Sequence, residues 1–337
     1  MLKLVGSPLA EEFEFRRFTT SRPPKRGTID NWGYGAVLRG GIGRMFVGAM
    51  VTFGHMIAFP LRAARVRIVQ IQASDFLTFW EAIYYLLVAK LLGRHTIMRL
   101  GGAFDIFYRT SPRPVRAAIR WAIRRPDRLI VQSLYWADLV AGLGRADGVF
   151  VLSNWVPDRL VAPVTRGHGQ VTCLFIAGSE ARRKGIELIV AAARALPHVR
   201  FHVVAAPDLP ALSNLSGRGV LDHPSMLDEM RSADIFALPS YGEGFPNSLI
   251  EAMALGLPAI ATPVGAVPEI IEDGVNGYLI ATGDAAALAD RIGTLAGEPA
   301  LRLSMGACAQ RTVIERYSET RIVDRLRNFY RELNSAS

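Results

Sequence analysis

In the stretch SYGEGFPNSLIEAMALGLP, residues 240–258, two carboxylates stand eight positions apart, Glu243 and Glu251. Pro246 suits the first turn of a helix, where its missing N–H would have no partner in any case. Gly256 and Pro258 mark the end of that helix. The pattern predicts a helix from about Pro246 to Leu255, with Glu243 in the loop at its N-terminus and Glu251 well inside it. A helix N-terminus that follows a strand and is opened by glycines, here Gly242 and Gly244, presents free backbone N–H groups to an anion. Carboxylates beside it could hold hydroxyl groups of the same ligand. A nucleotide sugar offers both, a diphosphate and two hydroxyl-rich rings. A lone glutamate in either place is more often a solvated surface residue; the Gly-Phe-Pro context favours the ligand reading.

The elements that must position this stretch alternate from about residue 170 onward. VTCLFIA (171–177), RFHVVAA (200–206), DIFALP (234–239) and PAIAT (258–262) read as short buried strands. GIELIVAAARAL (185–196), MLDEMRSA (226–233) and AVPEIIE (266–272) read as helices between them. Such alternation implies a parallel sheet covered on both faces, a doubly wound domain whose ligand sits at the C-terminal ends of the strands. The first half is less regular but also reads as α/β. Its predicted strands are FEFRRFTTS (13–21), RVRIVQIQAS (65–74), HTIMRL (95–100), DRLIVQS (127–133) and GVFVLS (148–153). Its main predicted helices are TFWEAIYYLLVAKLL (78–92) and PVRAAIRWAIRR (114–125). The polar segment PDRLVAPVTRGHGQ (157–170) reads as a linker. The expected domains are therefore residues 1–165 and 166–317, with a closing helix over 318–337 that returns toward the first domain.

Composition narrows the function. The chain has 337 residues, half of them hydrophobic, enough for two cores. The formal charge of +9 is uneven: residues 1–165 carry 23 Lys and Arg against 11 Asp and Glu, and residues 166–337 carry 16 against 19. A basic first half suggests an anionic partner there, such as phosphate groups or acidic lipid. Nucleic acid is not expected, because the basic residues lack interleaved aromatics or a reading module. There are two cysteines, Cys173 and Cys308, and no Cys/His spacing that suits a metal, so no metal site is expected and a reducing cytoplasmic setting fits. The N-terminus MLKLVGSPLAEEFEF turns acidic too early for a cleavable signal. Met45–Leu61 is 17 residues long, at the short limit for a membrane span, and reads better as a buried or interfacial helix.

The segment GEGFPNSLIEAMALGLPAIATPVGAVPEIIEDGVNGYLI resembles the E-x7-E region of retaining glycosyltransferases of family 4, which have the GT-B fold. The resemblance extends upstream through FIAGSEARRKGIELIVAAA and downstream through EPALRLSMGACAQRTVIERYS. It covers most of residues 130–330 well and the first 130 loosely. It implies two Rossmann-like domains facing across a cleft, a nucleotide-diphosphate sugar bound by the second, and an acceptor approaching from the first. Carried over, Glu243 lies against the donor sugar and Glu251 holds the nucleotide ribose. The backbone amides of Gly244, Phe245, Asn247 and Ser248 face the sugar and diphosphate. Lys184, beyond the glycine at Gly178, supplies one charge of the diphosphate clamp. The arginine that usually follows that glycine is replaced by Ser179, so Arg182 or Arg183 would have to supply the second charge. In the first domain RLGGAFDIFY (99–108) resembles the family's His-Gly-Gly-x-Phe segment; its histidine slot holds Leu100, while Gly101 and Gly102 keep the close backbone approach on the acceptor side. Asn154 matches an asparagine common before the linker, more often turn-forming than substrate-binding. None of the six histidines shows a catalytic partner in the sequence.

The resemblance further implies transfer with retention and no cofactor beyond the donor substrate; the basic first half and the apolar stretches 45–61 and 78–92 point to a lipid-linked or glycan acceptor and to work at the inner membrane face. A nucleotide-sugar epimerase of the same architecture would want more cleft carboxylates and histidines, and a phosphorylase a longer chain. A non-catalytic nucleotide-sugar-binding protein is the rival of a different class. LKLVGSPLAEEFEFRRFTTSRP reads like the tail of the family's first helix running into the second strand, which would leave the first strand and its Gly-rich loop missing. The alternative places that loop at RGGIGR (39–44).

Overall fold

The computed structural model describes residues 8–18, 41–74, 76–102, 104–161, 169–206 and 208–335. The chain divides into two compact α/β units. The first runs to Val151 and the second from Leu152, with Gln132–Trp136 grouped with the second.

In the first unit, helix α1 (Gly41–Ala63) precedes β1 (Ile68–Ala73), α2 (Phe76–Leu91) and β2 (His95–Leu100). Then follow α3 (Phe104–Thr110), α4 (Arg113–Ile123), β3 (Arg128–Val131), α5 (Leu134–Gly142), whose first three residues group with the second unit, and β4 (Val149–Val151). The four strands form one parallel sheet in the order β1-β2-β3-β4. Thr96 through Leu100 of β2 are all buried, as a central strand covered on both faces requires. Asp127 ties β2 to the turn before β3. Its carboxylate accepts from Thr96 N at 2.8 Å, Thr96 Oγ1 at 2.7 Å and Lys90 Nζ at 2.9 Å. Burial pushes this carboxyl upward, but those hydrogen bonds outweigh it and bring it down to about 2.

The expected strand over 13–21 does not form in its described part. Residues 8–11 make a short 3-10 turn, residues 14–18 join no sheet, and 19–21 lie outside the described residues. Phe13 and Phe15 alternate with exposed Glu14 and Arg16 as a half-buried strand would. Alternation records which side is buried, not whether a neighbouring strand pairs the backbone. Of RGGIGR, Arg39 and Gly40 also lie outside the described residues, and Gly41 to Arg44 begin α1. Met45–Leu61 lies within α1, and among the described residues no helix is long and apolar enough to cross a membrane.

The second unit follows the expected alternation. Its strands and helices in order are β5 (Thr172–Ile176), α6 (Ile186–Ala195), β6 (Arg200–Val204), β7 (Leu215–Gly217), α7 (His223–Ser232) and β8 (Ile235–Leu238). Next come α8 (Asn247–Ala254), β9 (Ala259–Ala261), α9 (Val267–Ile270), β10 (Gly277–Leu279), α10 (Ala285–Gly297), α11 (Pro299–Arg316) and α12 (Glu319–Ser335). The parallel sheet has the order β10-β9-β8-β5-β6-β7. Alternate side chains of β5 feed two cores: Leu174 and Ile176 pack with α8 and α9, and Cys173 and Phe175 with α6 and α10. β7 was not expected from the sequence; it is three residues long and its last is Gly217.

The second unit starts before the expected boundary at 165 for a physical reason. Val156 N donates to Tyr317 O at 3.0 Å, and Thr320 N and Oγ1 donate to Asp158. These bonds draw 152–161 and the start of α12 into that unit. Gln132–Trp136 join it because the Glu269 carboxylate accepts from Leu134 N at 2.9 Å and Tyr135 N at 2.8 Å.

Candidate functional site

In the order β10-β9-β8-β5-β6-β7 the chain starts at β5, runs outward through β6 and β7, then returns to β8 on the other side. The loops after β5 and β8 therefore leave in opposite directions from neighbouring strands. In open α/β sheets such a crevice at the carboxyl ends is where ligands sit. Lys184 lies in the first of these loops and Glu243 in the second.

Backbone contacts fix the two loops to each other. Tyr241 N donates to Arg183 O at 2.8 Å. Gly185 has φ +83°, and a Cβ there would come 2.3 Å from Pro239 O. A third loop, after β9, closes on the same place. Thr262 Oγ1 donates to Ser240 O, and Ala266 N to Gly244 O at 3.0 Å. Gly265 has φ +57°, and a Cβ there would stand 2.0 Å from Glu243 O. Both positions combine a left-handed backbone with a close approach that leaves no room for a side chain.

The predicted helix is α8, with Pro246 as its capping residue. Its C-terminus closes as expected at Gly256: Gly256 N donates to Met253 O and Leu257 N to Ala252 O. At its N-terminus the N–H groups of Gly244, Phe245, Asn247 and Ser248 have no acceptor among the described residues. Free N–H groups at a helix start are where an anion can bind, and the Tyr241–Arg183 backbone bond joins the loop before them to the loop that carries Lys184. Lys184 is half-buried, and its ammonium has no hydrogen-bond or ion-pair partner among the described residues.

The other expected residues take distinct places. Glu243 is half-buried, and its Oε1 accepts from Ser240 Oγ at 2.8 Å. Glu251 is buried within α8, with Oε1 2.9 Å from His223 Nε2. The Phe245 side chain belongs to the core, edge-on to Tyr317, so its backbone alone faces the loop side. Asn247 Oδ1 accepts from Asn154 Nδ2 at 2.9 Å, which gives Asn154 a role in holding the start of α8. Gly178, at φ +65°, has open space where a Cβ would stand. Arg182 is exposed. Arg183 is committed within the loops: Nη1 donates to Gly242 O and Nη2 pairs with Glu180 at 2.5 Å. In the first unit Gly101 N donates to Ala73 O at 2.9 Å, and Gly102 has φ +67°. Leu100, in the histidine slot, is fully buried. His223 was not foreseen. Its partner is 28 residues away, and nothing in the local sequence marks the contact.

Residues 170–298 match the family model for glycosyl transferases group 1. A phosphatidyl-myo-inositol mannosyltransferase of Mycobacterium leprae is 32% identical over 157 residues, 42% of this chain and 42% of that protein. The chain spans about half or less, 26% to 51%, of the length of this and seven other curated relatives. Among solved structures, a sucrose-phosphate synthase of Thermosynechococcus elongatus has a TM-score of 0.71 at 20% identity, over 86% of this chain and 79% of that one. Anabaena Alr3699/HepE in complex with UDP-glucose has a TM-score of 0.68 at 19% identity, over 83% and 82%. At these identities the structures share the fold, two Rossmann-like domains with parallel sheets. The segment that carries Gly178, Lys184, Glu243, α8 and Glu251 lies wholly inside the match of residues 170–298 to glycosyl transferases group 1.

Proposed function

We propose that this protein transfers a sugar from a nucleotide-diphosphate sugar to a lipid-linked or glycan acceptor, with retention at the anomeric carbon. The observation that carries the reading is the meeting, at the crevice between β5 and β8, of the loops that carry Lys184, Glu243 and the free N–H groups of Gly244, Phe245, Asn247 and Ser248. Breaking the bond between sugar and diphosphate builds positive charge on the sugar, as in glycoside hydrolysis, and negative charge on the leaving phosphate. The ammonium of Lys184 and the amides at the start of α8 stabilise the leaving diphosphate as its charge grows. Glu243, steadied by Ser240, orients the sugar, and Glu251 holds the ribose. Arg182 is the better source of a second cation, since the Arg183 guanidinium is already engaged with Gly242 and Glu180. The HepE complexes with UDP and UDP-glucose support a nucleotide-sugar ligand for this fold. The mannosyltransferase named for phosphatidyl-myo-inositol supports a lipid-linked acceptor.

In the same reading the first unit rests on an anionic membrane surface. On α1 the side chains of Met50, Phe53, Ile57 and Leu61 are 60–71% exposed at spacings of three and four, one apolar stripe along the helix. Exposed Arg62, Arg65 and Arg67 follow it directly. An apolar helical face with cations at its end is the pattern of an interfacial helix.

The decisive experiment is a screen of UDP- and GDP-sugars against lipid-linked and glycan acceptors, scored for nucleotide release and for product, beside binding of the nucleotide alone. Acceptor-dependent release with a product of unchanged anomeric configuration is expected. Nucleotide binding without transfer to any acceptor would instead make the chain a nucleotide-sugar-binding protein.

A further inference from the structure

Glu251 is the most buried of the site's charged groups, at 9% exposure. A carboxylate so enclosed ordinarily needs several hydrogen bonds. Among the described residues its side chain has one partner, His223 Nε2 at 2.9 Å from Oε1. A carboxylate only accepts, so Nε2 carries the hydrogen. His223 itself is placed by its element. It is the first residue of α7, directly after Asp222, whose carboxylate caps the helix by accepting from Ser225 N at 2.9 Å. The imidazole is 59% exposed, so it reaches Glu251 from the solvent side. One oxygen of Glu251 is thus held, and Oε2 has no hydrogen-bond partner among the described residues.

We propose that His223 is a positioning residue of the nucleotide site: its Nε2–H fixes Oε1 of Glu251 and turns Oε2 toward the ribose hydroxyls. This rests on the reading of Glu251 as the ribose-binding carboxylate. Without His223 the carboxylate would rotate and hydrate, and its hydrogen bond to the sugar would lose its preferred direction. The diphosphate contacts, made by Lys184 and the α8 amides, would be untouched.

The test is calorimetric titration of UDP, GDP and their 2′,3′-dideoxy analogues into wild type, His223→Ala, His223→Gln and Glu251→Ala. Urea unfolding midpoints check that each variant folds. Glutamine places an N–H near the position of Nε2. Wild type should prefer the ribonucleotide, as a hydrogen bond to a carboxylate implies, by about tenfold. His223→Ala should lose most of that preference, His223→Gln should recover it, and the affinity for the dideoxy analogue should stay level throughout. If His223→Ala keeps the preference while Glu251→Ala loses it, His223 does not position Glu251. If His223→Gln fails to rescue a loss in His223→Ala, the imidazole touches the nucleotide itself and the positioning role falls. If neither nucleotide binds wild type, or Glu251→Ala keeps the preference, the assignment of Glu251 falls, and the role of His223 with it.

Discussion

At Lys184 a single ammonium, half-buried and without a partner among the described residues, stands in the loop that Gly185 presses against Pro239. Its role in the proposed site is charge pairing, so Lys184→Ala should weaken binding of a nucleoside diphosphate far more than binding of the nucleoside. A charge-assisted contact implies a loss of roughly tenfold or more for the diphosphate. Calorimetry with UDP and uridine, then GDP and guanosine, measures the ratio; an unchanged ratio would remove Lys184 from the site. In the proposed site Glu243 has a different part, to orient the sugar. Glu243→Ala should lower kcat more than nucleotide affinity, and equal turnover on a working donor–acceptor pair would sink that role. The loop placement of both residues was legible in the sequence because each sits in a run of neighbours that is itself informative: Gly-Glu-Gly-Phe-Pro for one, Lys-Gly before an apolar helix for the other. Arg183 and His223 were not. What decides their roles is Gly242, 59 residues from Arg183, and Glu251, 28 residues from His223. A contact at such separation follows from packing and leaves no local mark.

Among the elements, the loops after β5, β8 and β9 share one feature: each is held by backbone atoms of another. Gly265 shows how little slack remains. Gly265→Ala must place a Cβ in a left-handed backbone and against Glu243 O, so the β9 loop or the motif loop has to move. The expected result is a stability loss of more than about 1 kcal/mol in urea, together with loss of nucleotide binding. Full binding in a folded Gly265→Ala would show that the β9 loop does not set the position of Glu243. In the first unit Asp127 is the corresponding joint. Its folded pKa, about 2, lies below the unfolded value, so its contribution is present above about pH 4 and fades as pH falls toward 2. The side chain is 34% exposed, and screening reduces the effect to about 1–2 kcal/mol. Asp127→Asn should cost about that much at pH 7 and less near pH 2, read from urea midpoints. Equal losses at both pH values would assign the effect to shape and not to charge. The strands on either side of these joints were readable from apolar runs, because a parallel strand buried on both faces is nearly all apolar. The run at 13–18 shows where the method stops. Its alternation is real, but pairing depends on a neighbour that the local sequence does not encode.

At the scale of the whole molecule the charge is the organising quantity. Residues 1–165 carry a net +12 and residues 166–337 a net −3, by the counts of 23 against 11 and 16 against 19. A uniformly basic protein would meet an anionic surface in many orientations; an uneven one meets it with the first half leading. On α1 the stripe of Met50, Phe53, Ile57 and Leu61 supplies apolar area, and Arg62, Arg65 and Arg67 supply charge at its end. Each cation well placed near an anionic bilayer contributes about 1 kcal/mol, within a screening length that shrinks as salt rises. The chain should therefore sediment with vesicles containing anionic lipid at low salt and be largely released at high salt. Neutral vesicles should capture much less of it. Phe53→Glu together with Ile57→Glu should reduce capture at every salt concentration, because it breaks the apolar stripe without touching an arginine. Replacing Arg62, Arg65 and Arg67 by Gln should instead flatten the salt dependence. If the glutamate pair leaves capture unchanged while the arginine set abolishes it, the contact is purely electrostatic and α1 does not enter the interface. If neither set matters, α1 and the arginines after it play no part in vesicle binding.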